Sequence, residues 1–187
     1  GQVHLPAETG VGADYTIKGL ELATHAEAQP GQNLLDVAAN PAALRELALS
    51  KLNILLTPPQ GTGTSRVSVT AHLRPADAGG LQGQVIAETE AVPVAALAAW
   101  WPQVVAPNPR DWVITHLRDG IAEKGRWDLN LKGADLASLE PVHLKGLLHA
   151  TGMTVDYLPP MPAVRDGVAD VAFALDTLDI TVHSGAV

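Results

Sequence analysis

An eight-residue alternation constrains this chain more than any other feature. Val67, Val69, Ala71 and Leu73 alternate with Arg66, Ser68, Thr70 and His72. Successive side chains of a strand point to opposite faces, so period two over this length predicts one apolar face and one wet face. The pattern returns three times. Trp127, Leu129 and Leu131 alternate with Arg126, Asp128 and Asn130; Val171, Phe173 and Leu175 with Asp170, Ala172, Ala174 and Asp176; and Leu178, Ile180 and Val182 with Asp179, Thr181 and His183. A chain written this way is committed to half-buried antiparallel strands.

What can cover the apolar face is limited by composition. Of 187 residues, 47% are apolar and 17% charged, as in a globular protein, but only 4% are aromatic. The core must therefore be built from Ala, Leu and Val, which requires close backbone packing or a wide shared surface.

Between the clear strands the chain reads as follows. Residues 13–28 form a strand in which Gly19 marks a phase slip and a β-bulge. Asn33 to Ala38 is a short strand. Asn40-Pro41 opens a helix running to about Lys51, with Leu44, Leu47 and Ala48 on one side. Leu52 to Leu56 is a strand stopped by Pro58-Pro59, and Gln60 to Thr64 is a loop. After a turn at Asp77 to Gly80, Leu81 to Ala91 pairs back as a hairpin. A helix over Val94 to Val105, a hinge at Ala106 to Pro109 and a second helix from Pro109 to Asp119 follow, with Gly120 as its cap. Lys124 to Leu131, His143 to Thr151 and Met153 to Leu158 are strands. A stiff Pro159 to Pro162 loop precedes a closing hairpin that turns at Asp176-Thr177. The expected class is α+β: a mainly antiparallel, curved β-sheet with a few short proline-capped helices. It divides into 1–92 and 93–187, a division compatible with one continuous sheet.

Catalytic and metal chemistry finds little support. Net charge is −8 and the twelve Lys and Arg are scattered, which excludes nucleic acid as a partner. With no cysteine there is no disulfide, Cys-ligated zinc or Cys nucleophile. His143 and His149 would stand about 20 Å apart along a strand, too far for one ion. Ser65, Ser68, Ser138 and Ser184 lie in no nucleophile-elbow context. Asp170, Asp176 and Asp179 read as a wet strand edge that resists pairing, with an acid–base pair or cation site as the alternative. Trp100, Trp101 and Trp112 either seal helices onto the sheet or contact a membrane or partner. Arg110 and Asp111 form a local ion pair or act as helix-start charges. The expectation is a non-enzymatic chain without cofactor or metal. No apolar run approaches the ~18–20 residues of a membrane span, and both ends read as cut from something longer.

A second source of expectation is the stretch from Pro93 onward. It contains Pro93-Val94-Ala95-Ala96-Leu97, Trp101-Pro102, Ala106-Pro107, Arg110-Asp111-Trp112-Val113 and His116-Leu117-Arg118-Asp119-Gly120. Later come Thr154-Val155-Asp156-Tyr157-Leu158-Pro159, then Pro162, Val164 and Gly167, and finally Leu178-Asp179-Ile180 with Ser184-Gly185. This half of the chain resembles the central region of AsmA-like bacterial envelope proteins, in the long YhdP-like subgroup; the first ninety residues match only in style. These matching positions are loops and caps rather than catalytic signatures.

The resemblance implies a periplasmic segment of a protein anchored in the inner membrane. Such a segment would help carry phospholipids between inner and outer membrane through an apolar β-groove. Its partners would be a phospholipid or other acyl-chain ligand and the remaining segments of the same long chain. The lipid-facing candidates are Val67, Val69, Leu73, Trp127, Leu129, Leu131, Val171, Phe173, Leu175, Ile180 and Val182. Two alternatives stand beside this. The same faces can pack on their own helices as a closed core, and the chain can be a structural or protein-interaction β-module of the cell envelope that pairs through an edge strand as a dimer.

Overall fold

The computed structural model describes residues 2–5, 13–33, 36–37, 40, 43–57, 64–97, 106–158 and 160–187. Ten strands among them form one open, curved sheet: β1 (Gln2–Leu5), β2 (Ala13–Ala28), β3 (Leu44–Thr57), β4 (Ser65–Pro75), β5 (Leu81–Pro93), β6 (Leu117–Arg118), β7 (Ile121–Gly133), β8 (Glu140–Val155), β9 (Val164–Phe173) and β10 (Leu178–Ala186). Every pairing is antiparallel, in the order β1-β2-β3-β4-β5-β7-β8-β9-β10, with the short β6 on the end of β8. Apart from β6, each strand lies beside the next in the chain. β5 pairs with β7 from Leu81↔Gly133 to Pro93↔Ile121, so a division at residue 92 falls within one sheet.

The alternating segments are strands as expected, except that β9 ends at Phe173 and leaves Ala174 to Asp176 in the turn; the slip at Gly19 is a bulge, in which Ile17 pairs with Leu56 and Gly19 with Leu55, leaving Lys18 extra. The expected helix from Asn40-Pro41 to Lys51 is corrected to strand β3. Its apolar residues run Leu47, Leu49, then Leu52, Ile54, Leu56, with a register shift between Leu49 and Leu52 on β4 and between Lys51 and Leu49 on β2. A further shift between Leu44 and Glu46 on β2 leaves Arg45 extra, and the resulting i, i+3 spacing of Leu44 and Leu47 imitates a helix stripe. At the expected strand Asn33 to Ala38, Asp36 and Val37 are helical instead; Asn33 and Asp36 cap each other through Asn33 N–H to Asp36 Oδ2 (2.8 Å) and Asp36 N–H to Asn33 Oδ1 (3.2 Å). The other residues of that stretch, except Asn33, lie outside the described residues.

The first expected helix after Pro93 is a 3₁₀ turn over Val94–Ala96, with Leu97 following it; residues 98–105, Trp100 and Trp101 included, lie outside the described residues. Helix α1 (Pro107–His116) begins two residues earlier and ends three residues sooner than its pattern suggests. Its N-cap is Ala106, left-handed at φ 47°. Gly120 (φ 71°) does not cap the helix but makes the tight turn from β6 into β7 beside Asp119 (φ 57°). The two strands expected over 143–158 are one, β8, which bulges between Ala150 and Met153 around the left-handed Gly152.

The main core gathers where α1 and the 3₁₀ turn meet the last third of the sheet. Val94, Leu97, Val113 and Leu117 pack with Leu144, Leu148, Ala150, Met153, Ala169, Val171 and Phe173. A second set of buried residues is Ala43, Leu44, Leu73 and Leu81, of which Leu73 and Leu81 stand where β4 turns into β5.

Candidate functional site

Directly paired residues of an antiparallel sheet share a face. Reading across the register, Leu22, Leu52, Val69, Ala87, Trp127, Gly146, Phe173 and Leu178 form one row through eight strands. Beside it runs Leu20, Ile54, Val67, Thr89, Gly125, Leu148, Val171 and Ile180. A third row holds Leu49, Ala71, Val85, Leu129 and Leu144, and a fourth Leu47, Leu73, Gly83 and Leu131. The sheet therefore carries one aliphatic face, about 34 Å wide across eight strands at the usual strand spacing.

Ten of the eleven residues singled out from the sequence lie on strands of this face; Leu175 sits in the β9–β10 turn, half-buried, where Ala174 N–H donates to Thr177 O (3.0 Å). Their exposure differs. Val171 and Phe173 are 2% and 4% exposed and belong to the closed core, so they present no open surface. Leu73 is also buried. Val67, Val69, Trp127, Leu129, Leu131 and Ile180 are half-buried, and Val182 is 54% exposed. The face is thus covered at β8 and β9 and opens toward β2, where Leu20 and Leu22 are 56% and 61% exposed.

Two glycines shape the floor beneath the aromatic rings. The Trp127 ring lies over Gly125, and the Phe173 ring over Gly146, each occupying the place of a Cβ. The rings are 6.1 Å apart and tilted by 53°, an attractive arrangement. The Thr89 hydroxyl is enclosed next to Gly125 and the Trp127 ring and has no hydrogen-bond partner among the described residues. Trp112 packs on the core from α1 and stacks on His116 at 4.9 Å, a sealing role on the sheet. Arg110 is buried and faces Asp111 at 3.5 Å.

The opposite face is polar and internally paired. Arg66, Glu90, Lys124, His149, Asp170 and Thr181 form one row, alternating in charge along much of its length. The neighbouring row pairs Glu21 with Asn53 (3.0 Å) and Glu88 with Arg126. Lys51 also reaches Glu21 (2.8 Å), and that contact, with the Asn53 bond, holds the Glu21 carboxyl below its ordinary range. A shallow depression of about 610 Å³ crosses this face between β5 and β10, lined by Glu88, Arg126, His149, Asp170, Asp179 and Thr181 among others.

Asp170 is the one unforeseen junction. His149 Nδ1 meets its Oδ1 at 2.6 Å and His183 Nε2 meets its Oδ2 at 2.7 Å, so one carboxylate ties β8, β9 and β10 together. These bonds, the His149 one first, lower the Asp170 pKa below the usual carboxylate range. Each imidazole takes a different oxygen, which is a bridge and not a chelating pocket, and no group of three metal-ligating side chains converges among the described residues. Spacing in the sequence carries no trace of this trio, because only the register brings positions 149, 170 and 183 together.

The comparison with known proteins adds no relative: neither the protein-family models, nor the curated proteins, nor the solved structures contain a match to this chain.

Proposed function

We propose that this chain is a segment of an envelope lipid conduit, holding acyl chains against the aliphatic face of its sheet. In this reading it is a non-enzymatic, periplasmic part of a protein anchored in the inner membrane. The ligand is a phospholipid or another acyl chain, passing between inner and outer membrane. The observation that carries the reading is the continuity of aliphatic rows from β2 to β10 on one face, with the β2 end open. Burying an acyl chain there gains about 0.8 kcal/mol per methylene without specific polar contacts, so no single contact holds the chain in place. The resemblance of the 93–187 half to AsmA-like proteins supports the same reading.

The test is mass spectrometry of the protein purified from bacterial envelopes, with a photoreactive group placed at Leu22 or at Leu147 on the opposite face. Phospholipid crosslinked at Leu22 and not at Leu147 is expected. No lipid at either position sinks the reading.

One observation favours a second reading, a structural β-module without ligand: at Val171 and Phe173 the same face is already filled by the protein's own helix and turn. A preparation free of lipid, with Leu20 and Leu22 covered by another polypeptide, would be its mark.

A further inference from the structure

Two rows of the polar face use the same three strands, one near each end of them. In the first, Arg66 of β4, Glu90 of β5 and Lys124 of β7 stand side by side. In the second, those places go to Arg74, Gln82 and Lys132. The first row carries its own carboxylate between two cations, and Arg66 reaches it at 3.8 Å. The second has a neutral amide in the middle. We propose that the row Arg74, Gln82 and Lys132 binds a phosphate group, whose charge takes the place that Glu90 fills in the other row.

The space is there. A depression of about 540 Å³ lies over the second row, lined by Arg74, Gln82 and Lys132 and by His72, Gln84 and Asn130 of the row beside it. Arg74 and Lys132 are two strand spacings apart at the backbone, about 10 Å, so both long side chains can close on one anion above Gln82.

Gln82 sets the polarity. Its side-chain oxygen accepts from Arg74 Nη2 (3.1 Å) and Nη1 (3.2 Å), which leaves its NH2 group to donate to a ligand. Two neighbouring donors are already taken: His72 Nε2 meets Glu46 (2.9 Å), and Gln84 Nε2 donates to Asp128 (2.8 Å). Lys132 and Asn130 have no partner among the described residues, Glu140 opposite Lys132 included. What remains is a guanidinium, an ammonium and two amide NH2 groups. A tetrahedral oxyanion satisfies such a set, since the guanidinium fork takes two oxygens and the ammonium a third. The site lies on the face opposite the aliphatic rows, so it stands whichever of the two functional readings is right.

A phosphate group can arrive free or on a lipid headgroup, with the same chemistry. Nuclear magnetic resonance of the isotope-labelled chain, titrated with sodium phosphate at fixed pH and ionic strength, reads the side-chain NH2 signals of Gln82 and Asn130. Saturable shifts in the millimolar range are expected, and none with sodium chloride. Gln82→Glu keeps the shape and supplies the missing carboxylate, so it should weaken phosphate binding, read at Asn130, roughly tenfold or more. Lys132→Gln should weaken it about tenfold. Lys124→Gln, in the row that has its own carboxylate, should leave it unchanged. Vesicles of phosphatidylglycerol then separate the two sources. Sedimentation of the chain with them, lost in Gln82→Glu, marks a headgroup; otherwise the ligand is a soluble phosphate compound. Absence of phosphate shifts, equal shifts with chloride, or a Gln82→Glu chain that binds phosphate as well as the parent overturns the proposal.

Discussion

The ring of Phe173 fills the space above Gly146, its cross-strand neighbour, where any Cβ would collide with it. Phe173 is the only phenylalanine in the chain and anchors the covered end of the aliphatic face. Gly146→Ala should force the ring out of a packed core and destabilise the fold by about 1–3 kcal/mol, as overpacking does. Urea unfolding followed by Trp fluorescence measures this, since Trp127 lies against the same ring. An unchanged midpoint would mean the ring has room to move.

Thr89 gives the opposite sign. Its hydroxyl is enclosed without a partner among the described residues, between strands that bury it under Trp127. Thr89→Val keeps the shape and removes the stranded polar atom, so stability should rise by about 1 kcal/mol. A thermal melt reads it, and a lower melting temperature would show that the hydroxyl has a partner in solution.

Ser65 differs from Thr89 by one bond. It is fully buried, and its Oγ donates to the carbonyl of Ala91 at 2.9 Å. Ser65→Ala leaves that carbonyl unsatisfied and should cost about 1–2 kcal/mol. Chemical denaturation of the two variants, side by side, should move in opposite directions.

Asp170 sets the acid limb of stability. Its pKa is lower in the folded chain than in the unfolded one, so the folded state is favoured wherever the carboxylate is ionised. That contribution is complete above the ordinary carboxylate pKa of about 4 and is lost as pH falls through the lower folded value. Asp170→Asn should remove this part of the pH dependence, leaving a shallower loss of stability below about pH 4. Urea midpoints at pH 3 to 7 follow it. Identical slopes for the two proteins would show that the His149 and His183 contacts do not outlast solvent exposure.

The open and the covered parts of the face should separate ligand from fold. Leu20→Ser with Leu22→Ser removes exposed side chains and should change stability by less than about 1 kcal/mol while lowering acyl-probe binding. Phe173→Ala empties a core position and should cost about 3–5 kcal/mol. Probe binding that survives the Leu20 and Leu22 changes intact would place the ligand elsewhere.

Much of the sheet was legible because period two survives without knowledge of neighbours: β4, β7, β9 and β10 stand where Val67, Trp127, Val171 and Ile180 put them. The first half of β3 was not, because its bulge at Arg45 sets Leu44 and Leu47 three apart and a capping Asn40-Pro41 precedes it. Helix α1 was found, but its start lies at a left-handed Ala106, a conformation that alanine does not advertise. Alternation also told which residues share a face within one strand. It could not tell that Val171 would lie under α1 while Leu22 stays open, since coverage depends on segments far away in the chain. The same limit hid the Asp170 bridge.

The order of the strands has a mechanical consequence. Because almost every strand leans on the one made just before it, the molecule is close to one-dimensional, like a ladder assembled rung by rung. Loops closed during folding stay short, and hairpins form as soon as their residues are free, so the sheet can grow from one end while the rest of the chain is still unformed. For the same reason the ladder can be lengthened by whole hairpins, each new pair of rungs extending the aliphatic face without disturbing those already in place.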